Sequence, residues 1–111
     1  MADPMDLVFK ALADATRRAL LDRLVANNGQ SLGELCAELA MTRQAVSKHL
    51  RILAEANLVV PVWHGREKHH YLNAEPIDAI AVRWIGKYER QRVRALRDLK
   101  RVLEDETDAQ G

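Results

Sequence analysis

Between Thr42 and Ala54 the chain contains no acidic residue. Within that stretch Arg43, Gln44, Ser47, Lys48 and Arg51 recur at helical steps, while Ala45, Val46, Leu50 and Leu53 fall on the opposite side. The polar side presents hydrogen-bond donors and cations with no carboxylate competing for them. Such a face suits an anion that carries an ordered array of acceptors. Duplex DNA is such a partner, since its major groove admits one α-helix. Gln44 can pair with adenine in a bidentate manner and Arg43 with guanine. Ser47 and Lys48, one turn on, reach a base or a phosphate, and Arg51 is placed for the backbone. The competing reading is an ordinary solvated helix face.

The flanking residues must position this face. Asp3-Pro4 reads as a helix start with Pro at the first helical position. Asp14 can cap a second helix through Leu20, Leu21 and Leu24, which Asn27-Asn28-Gly29 ends through a left-handed stop. Ser31 and Glu34 form a capping box that opens a short third helix, with Leu32, Leu35, Cys36 and Leu39 inward. Ala40-Met41 make a tight turn, and Thr42 caps the fourth helix to about Ala56. LVVPVWHGREKHHYLN then reads as a β-hairpin around Gly65, with Pro61 on an edge strand. From Pro76 to about Glu104 apolar residues recur at steps of three and four, a helix too long for one small domain to cover. This order predicts a mainly α fold with a small hairpin, α1-α2-α3-α4-β-β-α5. It is a winged helix-turn-helix in one domain over residues 1–111, with residues 31–56 as the helix-turn-helix and 58–73 as the wing. Arg66, at the hairpin tip, can enter a minor groove, where narrow A·T tracts concentrate negative potential.

The charge totals alone say little, because the formal net charge is +1. Its distribution says more. Residues 42–68 carry five bases against two acids, and residues 83–101 carry eight bases against two. One cysteine excludes an internal disulfide and fits a reducing compartment. The acidic MADPMD start is not a signal peptide and no stretch is long enough to span a membrane, so a cytoplasmic location is expected.

LADATRRALLDRL, then SLGELCAELAMTRQAVSKHLRILAEANLV, then HGREKHHYLN together resemble the ArsR-type (arsenical-resistance repressor) family of bacterial transcription regulators over about residues 5–103. The resemblance implies a homodimer joined by its first and last helices, at about 5–14 and 76–104, which binds an inverted repeat near a promoter, usually to repress. The expected DNA-binding residues are Thr42, Arg43, Gln44, Ser47, Lys48, Arg51, Arg66 and Lys68. The expected dimer residues are Leu7, Val8, Leu12, Ile80, Trp84, Tyr88, Leu96 and Leu99.

Many relatives of that type respond to metals, through a Cys-x-Cys pair in the third helix or an Asp-x-His pair with further histidines on the last. Here Cys36 is followed by Ala37-Glu38, Asp78 by Ala79-Ile80, and no histidine follows His70. No metal or other cofactor is therefore expected, and the effector is unknown. Cys36, between Leu35 and Leu39, reads as a core residue rather than a sensor. One alternative rests on the wing: if Gly65-Arg66 is a two-residue turn, His64, Glu67 and His69 share a face and could hold zinc. No nucleophile–base constellation appears, so an enzyme is not expected. A different class of reading is a winged module whose basic helix docks an acidic protein.

Overall fold

The computed structural model describes residues 3–110, with side chains through residue 105. Two compact units form, one through Ile77 and one from Asp78 on. In the first, α1 (Pro4–Leu12) is capped by Asp3, whose carboxylate accepts from the Met5 amide at 2.8 Å. No glycine closes its far end. Instead Arg17 and Arg18 of α2 (Ala15–Ala26) reach back to its last carbonyls. Arg17 donates to Ala11 O at 2.8 Å and Lys10 O at 3.0 Å, and Arg18 donates to Leu12 O at 2.7 Å. Asp14 caps α2 by accepting from the Thr16 and Arg17 amides, and the bond from the Arg17 amide is the main reason its carboxyl lies below the ordinary range.

The end of α2 differs from the sequence expectation. Asn27 is extended, with φ −147°. The left-handed residue is Gly29, at φ +79°. A Cβ there would lie 2.9 Å from the Tyr71 ring, so both the backbone and the close approach require glycine.

A strand that the sequence did not suggest follows, β1 (Gln30–Ser31). Then come α3 (Leu32–Leu39), α4 (Arg43–Glu55), β2 (Val59–His64) and β3 (Glu67–Leu72). Ser31 and Glu34 form the expected capping box, Ala40 turns left-handed at φ 53°, and Thr42 Oγ1 accepts from the Ala45 amide. The three strands make an antiparallel sheet in the order β1-β3-β2. Leu20, Leu24, Leu35, Val46, Leu53 and Leu58 fill the core between helices and sheet.

The second unit is the C-terminal part of a helical run: α5 (Glu75–Ile80), a π-helical turn (Ala81–Ile85) and α6 (Gly86–Gln110). The spacing of apolar residues gives no sign of the π turn. Among the described residues no helix is long and apolar enough to cross a membrane.

Candidate nucleic-acid interface

The Thr42 cap fixes where α4 begins and therefore which residues face outward. Val46, Leu50 and Leu53 are buried, which anchors the opposite side. Arg43, Gln44, Ser47, Lys48 and Arg51 are all exposed, as is Thr42. Among the described residues none of the cations Arg43, Lys48, Arg51, Arg66 and Lys68 is in an ion pair. Their field therefore projects into solvent rather than being spent on neighbouring carboxylates.

The wing supplies the second wall. His64 pairs with Glu67 across a Gly65-Arg66 turn, the register expected. Gly65 has φ +64°, which fits glycine at the first position of a two-residue hairpin loop. Because side chains alternate, Pro61, Trp63, Lys68 and His70 share the face turned toward α4, and with Arg43, Ser47 and Arg51 they line a cleft of about 480 Å³. Lys68 Nζ sits 5.1 Å from the centroid of the Trp63 ring.

His70 is buried beneath this cleft, and its Nδ1 donates to Gln30 O at 3.1 Å, which ties β3 to β1. A carbonyl partner requires the proton on Nδ1. Burial holds the imidazole below its ordinary pKa, assisted by the charges of Lys68 and His69 and opposed by the bond to Gln30.

The other face of the wing carries His64, Glu67, His69 and Tyr71. The two imidazole centroids lie 4.5 Å apart. His69 Nε2 is 3.4 Å from Glu67 Oε2, and His64 Nε2 is 2.9 Å from the Tyr71 hydroxyl. His64, Glu67 and His69 thus share a face, with the Nε2 atoms of the two imidazoles engaged by different partners. Among the described residues no group of three or more His, Cys, Asp or Glu side chains could hold a metal ion. In these side-chain positions His64, Glu67 and His69 do not form a ready zinc site. Cys36 is a free, half-buried thiol.

The apolar residues assigned to a dimer divide. Tyr88, Leu96 and Leu99 are exposed on α6, joined there by Val93, Val102 and Leu103. Leu7, Leu12, Ile80 and Trp84 are half-buried. Val8 is a correction: at 4 % exposure it belongs to the protomer's own core, because the inner side of α1 runs through Val8 and Ala11. Its neighbour Phe9, which the sequence reading passed over, is 45 % exposed instead.

Sequence reasoning missed two further residues. Arg17, whose side chain is 11 % exposed, also places Nη1 at 3.3 Å from His49 Nδ1, joining the α1–α2 corner to α4. In the sequence Trp63 reads only as part of the LVVPVWHGREKHHYLN hairpin. The signal available for it was an indole beside Pro61, facing a lysine across the turn.

Comparison with known proteins agrees with this geometry. A helix-turn-helix domain family matches residues 12–62. The HTH-type transcriptional regulator YuzN of Bacillus subtilis is 40 % identical over 86 residues, 72 % of this chain and 94 % of that one. The HTH-type transcriptional regulator Rv2034 of Mycobacterium tuberculosis is 36 % identical over 103 residues, 93 % and 92 % of the two chains. Among solved structures, an ArsR-like transcriptional regulator from Rhodococcus sp. RHA1 superposes with a TM-score of 0.71 at 31 % identity, covering 92 % of each chain. With the expected winged architecture, the exposed cationic face of α4 and relatives matched over 72 % to 93 % of its length, the chain belongs to the ArsR-type family of helix-turn-helix transcriptional regulators.

Proposed function

We propose that the chain is a cytoplasmic, homodimeric repressor that binds an inverted-repeat operator near a promoter. Residues 31–56 act as the reading unit and 58–73 as the wing. The observation that carries this is the exposed face of α4, with three cations free of ion pairs, set beside a cleft whose other wall carries Lys68. Gln44 and Arg43 contact base edges, with Ser47 and Lys48 one turn on. Arg51, Lys68 and the Thr42 hydroxyl hold phosphates, and Arg66 enters the minor groove. Two protomers joined through Leu96, Leu99, Tyr88, Trp84 and Ile80, with Leu7 and Leu12 of α1, present two such helices to half-sites ~34–36 Å apart.

Fluorescence anisotropy on the chain's own upstream DNA and on a scrambled duplex tests this reading. Preference for the upstream DNA should reach about 10³, the low end for specific binders. Gln44→Ala or Arg43→Ala should erode that preference by ~1–3 kcal/mol. Arg51→Ala should weaken both duplexes alike and flatten the salt slope by about one unit. Equal losses on both duplexes for Gln44→Ala, Arg43→Ala and Arg51→Ala would contradict the assignment. An absence of sequence preference on operators selected from random DNA would favour docking of an acidic protein.

A further inference from the structure

Trp63 has no part in the contacts proposed above, yet it is 65 % exposed on the wing wall of the cleft. An indole is among the largest apolar surfaces a side chain can bury, and leaving one in water forfeits that stabilisation. The ring also has a cationic neighbour. Lys68 is its direct partner across the ladder, with its ammonium 5.1 Å from the ring centroid, within reach of a cation–π attraction. Arg43, Ser47 and Arg51 form the opposing wall. The cleft therefore combines an apolar plate with cations on both sides.

The chemistry of that combination selects its occupant. An apolar ligand would desolvate Arg43, Arg51 and Lys68 without giving them partners, which is costly. A small inorganic anion would satisfy the cations and leave the indole in water. A sugar–phosphate strand satisfies both, with phosphates for Arg51 and Lys68, the bases beside it for Arg43, and the C–H face of deoxyribose for the ring. We infer that Trp63 is a DNA-backbone contact, seated against a deoxyribose of the strand that passes between α4 and the wing, with Lys68 on the adjoining phosphate. The inference rests on the DNA-binding reading above and extends it. Every nucleotide presents the same sugar, so the contact positions the protein without reading sequence.

Fluorine NMR of the full chain carrying fluorotryptophan tests the contact. The chain has two tryptophans, and Trp63→Phe identifies the Trp63 signal by its loss. Anisotropy of labelled DNA establishes independently that the duplex is bound. At saturation the Trp63 signal should shift and lose most of its solvent-isotope effect, on the target duplex and on a scrambled one alike. Trp63→Ala should weaken both duplexes roughly tenfold, about 1.4 kcal/mol, and leave the salt slope unchanged to within about half a unit. Trp63→Phe, which keeps a flat ring, should retain most of the affinity. An unmoved Trp63 signal on saturated protein overturns the inference, as does a Trp63→Ala loss confined to one sequence. If Trp63→Ala fails to fold, the NMR result on the native chain decides. If no duplex binds the native chain at all, the DNA-binding reading fails first and this contact fails with it.

Discussion

Replacing Arg17 by Met is expected to destabilise the fold without touching the exposed face of α4. The guanidinium makes charge-assisted hydrogen bonds at 2.8 Å to Ala11 O and 3.0 Å to Lys10 O, and a third contact at 3.3 Å to His49. Its Asp14 contact, at 3.9 Å, is too long to count for much. Hydrogen bonds to a charged group contribute ~1.5–3 kcal/mol each when buried. Ala11 is fully buried, so its carbonyl loses its side-chain donor outright. Lys10 is exposed, so water replaces the donor at its carbonyl at little cost. Met preserves most of the aliphatic volume. The expected loss is therefore about 3 kcal/mol, most of it from Ala11 O and the link to α4. With an unfolding entropy of ~2.1 cal/mol/K per residue, a chain of 111 residues should lose about 13 °C in Tm. Urea unfolding for the free energy and thermal unfolding for the Tm, both followed by circular dichroism at one fixed protein concentration because dimerisation couples to stability, measure it. Arg17→Lys should recover less than half, since an ammonium cannot fork between two carbonyls and an imidazole. A loss below ~0.5 kcal/mol for Met, or a Lys variant as stable as the native chain, would refute the reasoning.

Three further outcomes are expected. Gly29→Ala must hold φ +79° with its Cβ against the Tyr71 ring, and should cost about 2–3 kcal/mol by urea midpoint; an unchanged midpoint would remove the case for the close approach. His70 has a folded pKa below its ordinary value, so the unfolded chain takes up the proton first as pH falls. Its contribution is intact above about pH 6.5 and is lost below it, toward and through the depressed folded pKa. His70→Asn, which keeps a donor toward Gln30 O, should unfold with a flatter pH dependence between about pH 7 and pH 5; identical slopes would contradict the burial argument. Leu99→Asp, at an exposed position on α6, should shift the chain toward monomer in sedimentation at micromolar concentration while leaving its helicity intact; a variant as dimeric as the native chain would exclude that face from the interface.

The residues that the sequence disclosed act on their near neighbours. Asp3, Asp14, Ser31 with Glu34, and Thr42 each cap a helix through atoms two or three positions away, so their spacing alone reveals them. The hairpin register followed from a two-residue loop with glycine first. The outward face of α4 followed from helical periodicity. What stayed hidden depends on distant partners. Gln30–Ser31 becomes a strand only because β3 lies beside it, about forty residues on in the chain. Arg17 reads as one more surface base until His49, 32 positions away, is brought against it. Val8 and Phe9 are adjacent apolar residues, and only the docking of α1 decides which one is buried. His64 and His69 share the face expected of them, but a ring shared with Tyr71 and a bond to Glu67 are side-chain choices that spacing does not encode.

Pro61 has one more consequence. Strand β2 lies at the edge of the sheet, with Val60 and Val62 exposed beside it. Asn73 N donates to Leu58 O at 2.8 Å, and antiparallel pairs alternate from there, so Val60, Val62 and His64 bond inward to β3. The free edge then belongs to residues 59, 61 and 63, and its central member has no N–H to offer. An incoming strand would find two donors separated by a gap, not a row. The proline therefore disfavours edge-to-edge pairing of one wing with another. The proline that interrupts the outer edge of the wing also lies on the cleft face, so one residue both weakens self-pairing and helps line the surface offered to a different partner.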